Sequence, residues 1–329
     1  MIIDYESYVE RIKNTKQWGE LEGYRSTAKR RRVYAWFIGF GVLIVGFICL
    51  LFGEFFSGLS APVVAVCLVI FLYKKTHKDY SKRYKMLVVP RLLSDVIKSY
   101  VSSGTSGSST AECQYHYKKH INFDVLLKIP LFENYNHGRI FYEGEDLFTG
   151  KLGETSFQFS DFVIKQNRDI PLADQNIDLT VFKGLVFMAD FHKAFEGTTT
   201  LITRKGKKYK RQTLIGSRMR TVSHEFDQMF NVFTTDEITA RYLLPANMLE
   251  RIINLRKLIP GEGMAICLHE GKLVISLHNI DFFESDGLKA LDNHGLMRTY
   301  QEIKAILEII DLLNLNLRLW NKRSRKANA

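Results

Sequence analysis

The sequence predicts an α+β fold: an N-terminal two-helix transmembrane hairpin, then a cytoplasmic mixed domain with an antiparallel sheet and flanking helices. Three observations carry this. Residues 33–53 and 55–73 contain no charged side chain, and only Glu54 separates them. Period-two alternation fills the middle of the chain, from residue 139 to about 203. Helical periodicity stands on both sides of it. Strands grouped centrally with helices at both ends argue for α+β rather than alternating α/β.

The two apolar runs are each long enough to span a bilayer core, which takes roughly 20 residues. One continuous helix over both would be about 60 Å long, twice the core, so the chain must turn. Gly53, Ser57, Gly58, Ser60, Ala61 and Pro62 cluster between the halves and act as breakers. The first span is placed at residues 34–52 and the second at 59–73. Lys29, Arg30, Arg31 and Arg32 precede the pair, and Lys74, Lys75, Lys78, Lys82, Arg83 and Lys85 follow it. The connecting loop has no Lys or Arg, so both termini are expected in the cytoplasm. Tyr34, Trp36 and Tyr73 sit where an aromatic belt would fall. A signal peptide would start with a brief basic region and hold one short apolar core. Here an acidic and basic preface and a second run argue against it.

Residues 1–32 read as a polar helical lead, with Tyr5, Tyr8, Val9 and Ile12 at helical spacing. Residues 33–73 form the hairpin, 74–110 a membrane-proximal helix and flexible loop, and 111–329 the cytoplasmic α+β domain. The second span should continue as a helix through Tyr84, and Pro90 should restart it. Residues 102–110 are a Ser/Gly/Thr stretch without the lysine and preceding strand of a phosphate loop. A short helix is predicted at 121–127. Strands are predicted at 139–147, 154–159, 162–165, 182–190 and 198–203. Residues 201–215 read as a hairpin with a basic, Gly-centred tip. Helices return at 225–229, 236–242 and 246–258, with Asp236 as a cap. Residues 264–268 and 272–277 form a hairpin around Glu270 and Gly271. A long amphipathic helix closes the chain, its stripe running from Leu296 to Leu317.

The net charge is +11. Part of it is the basic flank of the spans; the rest lies in residues 204–211 and 322–326. Charge alone would suit nucleic acid, but the anionic inner leaflet is closer and is the preferred partner. The four cysteines have neither metal-ligand spacing nor a disulfide framework, which suits a reducing compartment.

Four stretches carry a family likeness. They are 142–160, opening Tyr142-Glu-Gly-Glu-Asp-Leu-Phe148; 182–195, Phe182-Lys-Gly-Leu-Val-Phe-Met-Ala-Asp-Phe191 onward; 230–245, ending Arg241-Tyr-Leu-Leu-Pro245; and 265–277 leading to Phe282-Phe-Glu284. Their order and spacing, with the apolar hairpin before them, resemble a bacterial family of two-span membrane proteins known as domain of unknown function 3137. The resemblance implies the membrane anchor and the mixed domain, and a small membrane protein of the LemA type as a partner. It implies no activity, ligand or catalytic residue. The basic segment 204–211 looks longer and more charged than the family pattern, so a role for it would belong to this chain.

Two clusters are candidate sites. Arg204, Lys205, Lys207, Lys208, Lys210 and Arg211 could hold anionic lipid at about 1 kcal/mol per residue, or form a solvated loop. Glu143, Glu145 and Asp146 could do acid–base work or hold a divalent ion; the plainer reading is a turn with Asp146 capping backbone groups. His116 and His120 share a helical spacing but lack the Glu of a zinc protease helix. Sets such as Ser156, Ser160, His192 and Asp190 lack a nucleophile elbow. Asp236 and Arg241 read as a cap and an intrahelical pair, with Arg241 also a candidate for a buried salt bridge. No catalytic motif and no cofactor or metal site emerge. The expected function is a membrane-anchored cytoplasmic binding or scaffold module that contacts anionic lipid or a membrane protein. The alternative is a membrane-tethered, hydrolase-like enzyme using Glu143, Glu145 and Asp146.

Overall fold

The computed structural model describes residues 9–10, 12–52, 55–102, 111–133, 139–153, 155–170, 175–191, 195–204, 215–259, 262–280, 282–283 and 293–312. Two compact units emerge. One holds residues 3–92 and 283–299; the other holds 93–282 and 300–329.

The first unit is built on two long helices, α1 (Lys16–Leu51) and α2 (Phe55–Leu87). The Thr15 hydroxyl starts α1 by accepting from the Trp18 amide at 3.3 Å. The helices pack antiparallel: Arg83 lies over Tyr24 and Arg32 over Tyr73, and Gly39 faces Val69 and Ala65. The seam of α1 is Trp18, Leu21, Ala28, Ala35, Gly39 and Gly46, all buried. Ala61 and Ala65 are buried on α2. Small residues at this spacing let two backbones approach closely, the usual solution between helices in lipid. Outside the seam the apolar stretch is bare: Trp36, Phe37, Phe40, Phe47 and Phe71 are all more than 60% exposed. A core helix of a soluble protein would bury such a surface. Both helices are long and apolar enough to cross a membrane.

The sequence puts breakers at Ser57, Gly58, Ser60, Ala61 and Pro62, but these residues lie inside α2. Pro62 is the eighth residue of that helix, so the ladder bond its amide would make to the Gly58 carbonyl is missing. Below the apolar part the seam becomes polar and aromatic. Thr76, Tyr80, Ser81 and Tyr84 are buried, and the Tyr84 hydroxyl meets Thr299 Oγ1 at 2.8 Å.

Helix α3 (Val89–Ser102) follows, with Pro90 in its first turn as expected.

The second unit contains an antiparallel sheet. Its strands are β1 (Ala111–His116), β2 (Ile140–Leu152), β3 (Thr155–Ile170), β4 (Gln175–Asp190), β5 (Thr198–Thr203), β6 (Ser217–Met219), β7 (Phe230–Thr234), β8 (Gly263–His269) and β9 (Lys272–His278). The spatial order is β1-β2-β3-β4-β9-β8-β5-β7-β6. The hairpin β8–β9 turns on Glu270 (φ 46°) and Gly271 (φ 71°), the pair of positive angles a two-residue hairpin needs. It inserts between β4 and β5, which are neighbours in sequence.

One face of the sheet gathers Phe162, Ile164, Phe182, Val186, Met188, Ile202, Cys267 and Val274. It is capped by α4 (Phe123–Leu127) and α5 (Pro130–Glu133), through Phe123, Leu126, Leu131 and Phe132. The alternate positions, Phe157, Phe159, Leu185, Phe187, Leu201 and Ile275, are buried too. The central strands are therefore apolar on both sides. Four more helices complete the described elements: α6 (His224–Met229), α7 (Glu237–Leu243), α8 (Ala246–Leu258) and α9 (Asn293–Leu312).

Several sequence expectations change here. The predicted strands 154–159 and 162–165 are one strand, β3. The predicted short helix 121–127 begins at Phe123, after the cap Asn122. β1 and β7 were not foreseen. β5 and β6 do not form a hairpin with each other: each pairs with β7, which lies between them.

Candidate functional site

The basic segment leaves the end of β5. Arg204 is exposed, and its amide donates to the Met229 carbonyl at 2.9 Å. Lys205, Lys207, Lys208, Lys210 and Arg211 lie outside the described residues, as do 322–326. Where the chain returns, Arg218 on β6 and Arg220 after it are exposed. Sequence reading left both out because they fall beyond the dense basic run.

The acidic cluster is not a turn. β2 continues through it, with a bulge between Glu145 and Phe148. Asp146 takes φ 59° there, a conformation Asp tolerates better than most residues. The three carboxylates differ in burial. Glu143 and Glu145 are exposed, whereas Asp146 is buried. The Tyr115 hydroxyl on β1 donates to Asp146 Oδ1, and the Tyr115 ring lies 4.5 Å from Phe148. The Asp146 amide donates to the Tyr117 carbonyl at 3.3 Å. Across the ladder from Glu145 stands Asp161, also buried. Burial, and then the Asp146 charge, push the Tyr115 hydroxyl far above its ordinary range. It is a fixed donor at neutral pH. This arrangement clamps the bulge, and Asp146, Glu145 and Asp161 all act electrostatically on the Tyr115 hydroxyl. No group of three or more His, Cys, Asp or Glu among the described residues could hold a metal ion.

The other polar candidates serve the fold. His116 ends β1 and is not on a helix. His120 Nδ1 lies 2.7 Å from the Ile121 carbonyl, and its ring meets Phe162 edge-on. Buried Ser160 accepts from the Ile121 amide at 3.1 Å. Asp190 pairs with Lys272 at 2.6 Å, Ser156 is exposed, and His192 lies outside the described residues. Asp236 caps α7 by accepting from the Ile238 amide at 3.0 Å, and the Thr239 hydroxyl bond holds its carboxyl below the usual range. Arg241 pairs with Glu237 rather than Asp236, at 2.5 Å, with both side chains about half exposed. It is not the buried bridge the sequence suggested. One polar contact had no sequence signal: the Thr198 hydroxyl meets His269 Nδ1 at 2.8 Å across β5 and β8.

The family model described as protein of unknown function, DUF3137, matches residues 180–315. That stretch runs from β4 through α9. No curated protein matches the chain. Among solved structures, the crystal structure of the mycobacterial trehalose monomycolate transport factor A aligns with 69% of this chain and 95% of its own, at 11% identity and a TM-score of 0.33.

Proposed function

From a chain whose residues 180–315 match the DUF3137 family model, we propose a membrane-anchored binding module of the bacterial inner membrane. The observation that carries this is the bare apolar surface of α1 and α2. A chain exposing Trp36, Phe37, Phe40, Phe47 and Phe71 together needs lipid around it, because contiguous apolar surface of that size is costly in water. With both basic flanks on one side, the positive-inside rule puts both termini in the cytoplasm. The mixed unit then works at the inner leaflet.

Its ligand in this reading is anionic lipid, gripped by Arg204, Lys205, Lys207, Lys208, Lys210 and Arg211. Exposed Arg218 and Arg220 extend the basic surface in sequence. At about 1 kcal/mol per basic residue near a charged leaflet, six are enough to hold a loop on the surface. A membrane protein of the LemA type is the proposed protein partner.

The test uses full-length protein in nanodiscs. Trypsin cleavage within 204–211 should slow several-fold when phosphatidylcholine is replaced by phosphatidylglycerol. The charge reversals Lys207→Glu and Lys208→Glu should abolish the slowing. Equal cleavage in both lipids removes this segment from the account. Loss of the protein from the membrane pellet under alkaline carbonate removes the anchor.

A further inference from the structure

We propose that Arg32 and Tyr73 form a binding site for the phosphate of an anionic phospholipid, set into the helix seam at the membrane boundary. The proposal rests on the membrane reading above and adds a site to it. Arg32 is the last basic residue before the apolar run of α1. It lies four residues after Ala28 and three before Ala35, both buried in the seam. A helix pair would ordinarily place an apolar residue at such a position. Instead the guanidinium lies flat on the Tyr73 ring of α2, 3.8 Å from its centroid. Stacking fixes the plane of the fork.

The N–H groups of the fork are the reason to look for a ligand. Arg32 Nε and Nη2 are shielded and have no hydrogen-bond partner among the described residues. Shielded donors of a charged group are costly when left unmade. One turn on from Tyr73, the Thr76 hydroxyl donates back to the Leu72 carbonyl at 2.7 Å. At this depth the abundant acceptor is the lipid phosphate, whose paired oxygens match a guanidinium fork. Exposed Lys29 and Lys74 beside the pair favour a headgroup with net negative charge. Exposed Trp36 on the next turn is the type of residue that settles at headgroup level.

The experiment uses full-length protein, delipidated in detergent. It is titrated separately with phosphatidylglycerol, phosphatidylcholine of the same chains, and inorganic phosphate. Retained lipid is read by native mass spectrometry and stabilisation by thermal melting. Phosphatidylglycerol should be retained and should raise the melting temperature, phosphatidylcholine less, and inorganic phosphate not at all. Arg32→Gln and Tyr73→Leu should each reduce phosphatidylglycerol retention at least fivefold. Tyr73→Phe, which keeps the ring, and Lys151→Gln, which removes an equal charge from an exposed position on β2, should retain most of it. Undiminished retention in both Arg32→Gln and Tyr73→Leu overturns the site. Equal stabilisation by inorganic phosphate overturns its assignment to lipid. Carbonate extraction of wild-type membranes separates the two levels. A wild-type protein released to the supernatant sinks the membrane reading, while a pelleted protein with unchanged lipid retention in the variants sinks this site alone.

Discussion

Gly184 is the residue where the sheet tolerates least. It has φ +152°, and a Cβ there would sit 1.9 Å from the Leu277 carbonyl oxygen on the neighbouring strand. Both the angle and the space exclude a side chain. Gly184→Ala should lower stability by more than about 3 kcal/mol, read as a fall in the denaturation midpoint of the solubilised protein. The Tyr115–Asp146 pair gives a second prediction. Tyr115→Phe leaves a buried carboxylate short of a donor, and should cost about 1–3 kcal/mol near neutral pH. Tyr115 in the folded protein holds its proton more tightly than in the unfolded chain, chiefly through burial. Its contribution is therefore complete below the ordinary tyrosine value of about 10 and is lost as pH rises beyond it. Wild-type stability should fall above about pH 10, and the Phe variant should show a shallower fall. Burial also pushes the Cys113 thiol up to about 12 and the Cys267 thiol up to about 11. Both should resist alkylation at pH 8 in the folded protein and react once denaturant is added.

At the scale of elements, Gly39 decides how closely α1 and α2 approach. A Cβ there would lie 2.7 Å from Val69 Cγ2. Gly39→Ala should lower the melting temperature, and adding Val69→Ala should recover most of the loss, a coupling that a double-mutant cycle measures. Elements with strong periodicity or clear punctuation were legible in the sequence. The apolar runs, the Glu270-Gly271 hairpin, the three helices between 224 and 258 and the start of the last helix all appear as read. Those missed lacked a local signal. β1, Ala-Glu-Cys-Gln-Tyr-His, is half polar because it is an edge strand. β7 is five residues squeezed between two helices. β3 looked like two strands because Asp161 interrupts its apolar pattern, yet Asp161 is buried within the ladder. Gly144 and Asp146 have turn chemistry, but a bulge uses the same residues without ending the strand. Nothing local in residues 201–215 could show that β7 would come between β5 and β6.

At the scale of the whole molecule, the two-unit division follows the hydropathy of the chain only in part. The hairpin unit also claims residues 283–299, far from it in sequence and invisible to any local pattern. The candidate site was legible as composition, since the basic run is plain in the sequence. Its acidic counterpart was legible too, but not that Asp146 would be buried while Glu143 and Glu145 stay exposed. Deleting residues 34–73 should move the protein from the membrane pellet to the supernatant in cell fractionation. Persistence in the pellet would show that the mixed unit holds the membrane by itself. Strand order also has a consequence for synthesis. The ladder partner of β4 is β9, which begins at Lys272, whereas β4 ends at Asp190. Roughly 80 residues of translation, about 4–16 s at ribosomal rates, separate them. For that interval the nascent protein presents Leu185, Val186, Phe187 and Met188 on an unzipped margin, open to a strand from any neighbouring polysome. The cell must shelter that margin until the β8–β9 hairpin clears the exit tunnel and slots into place.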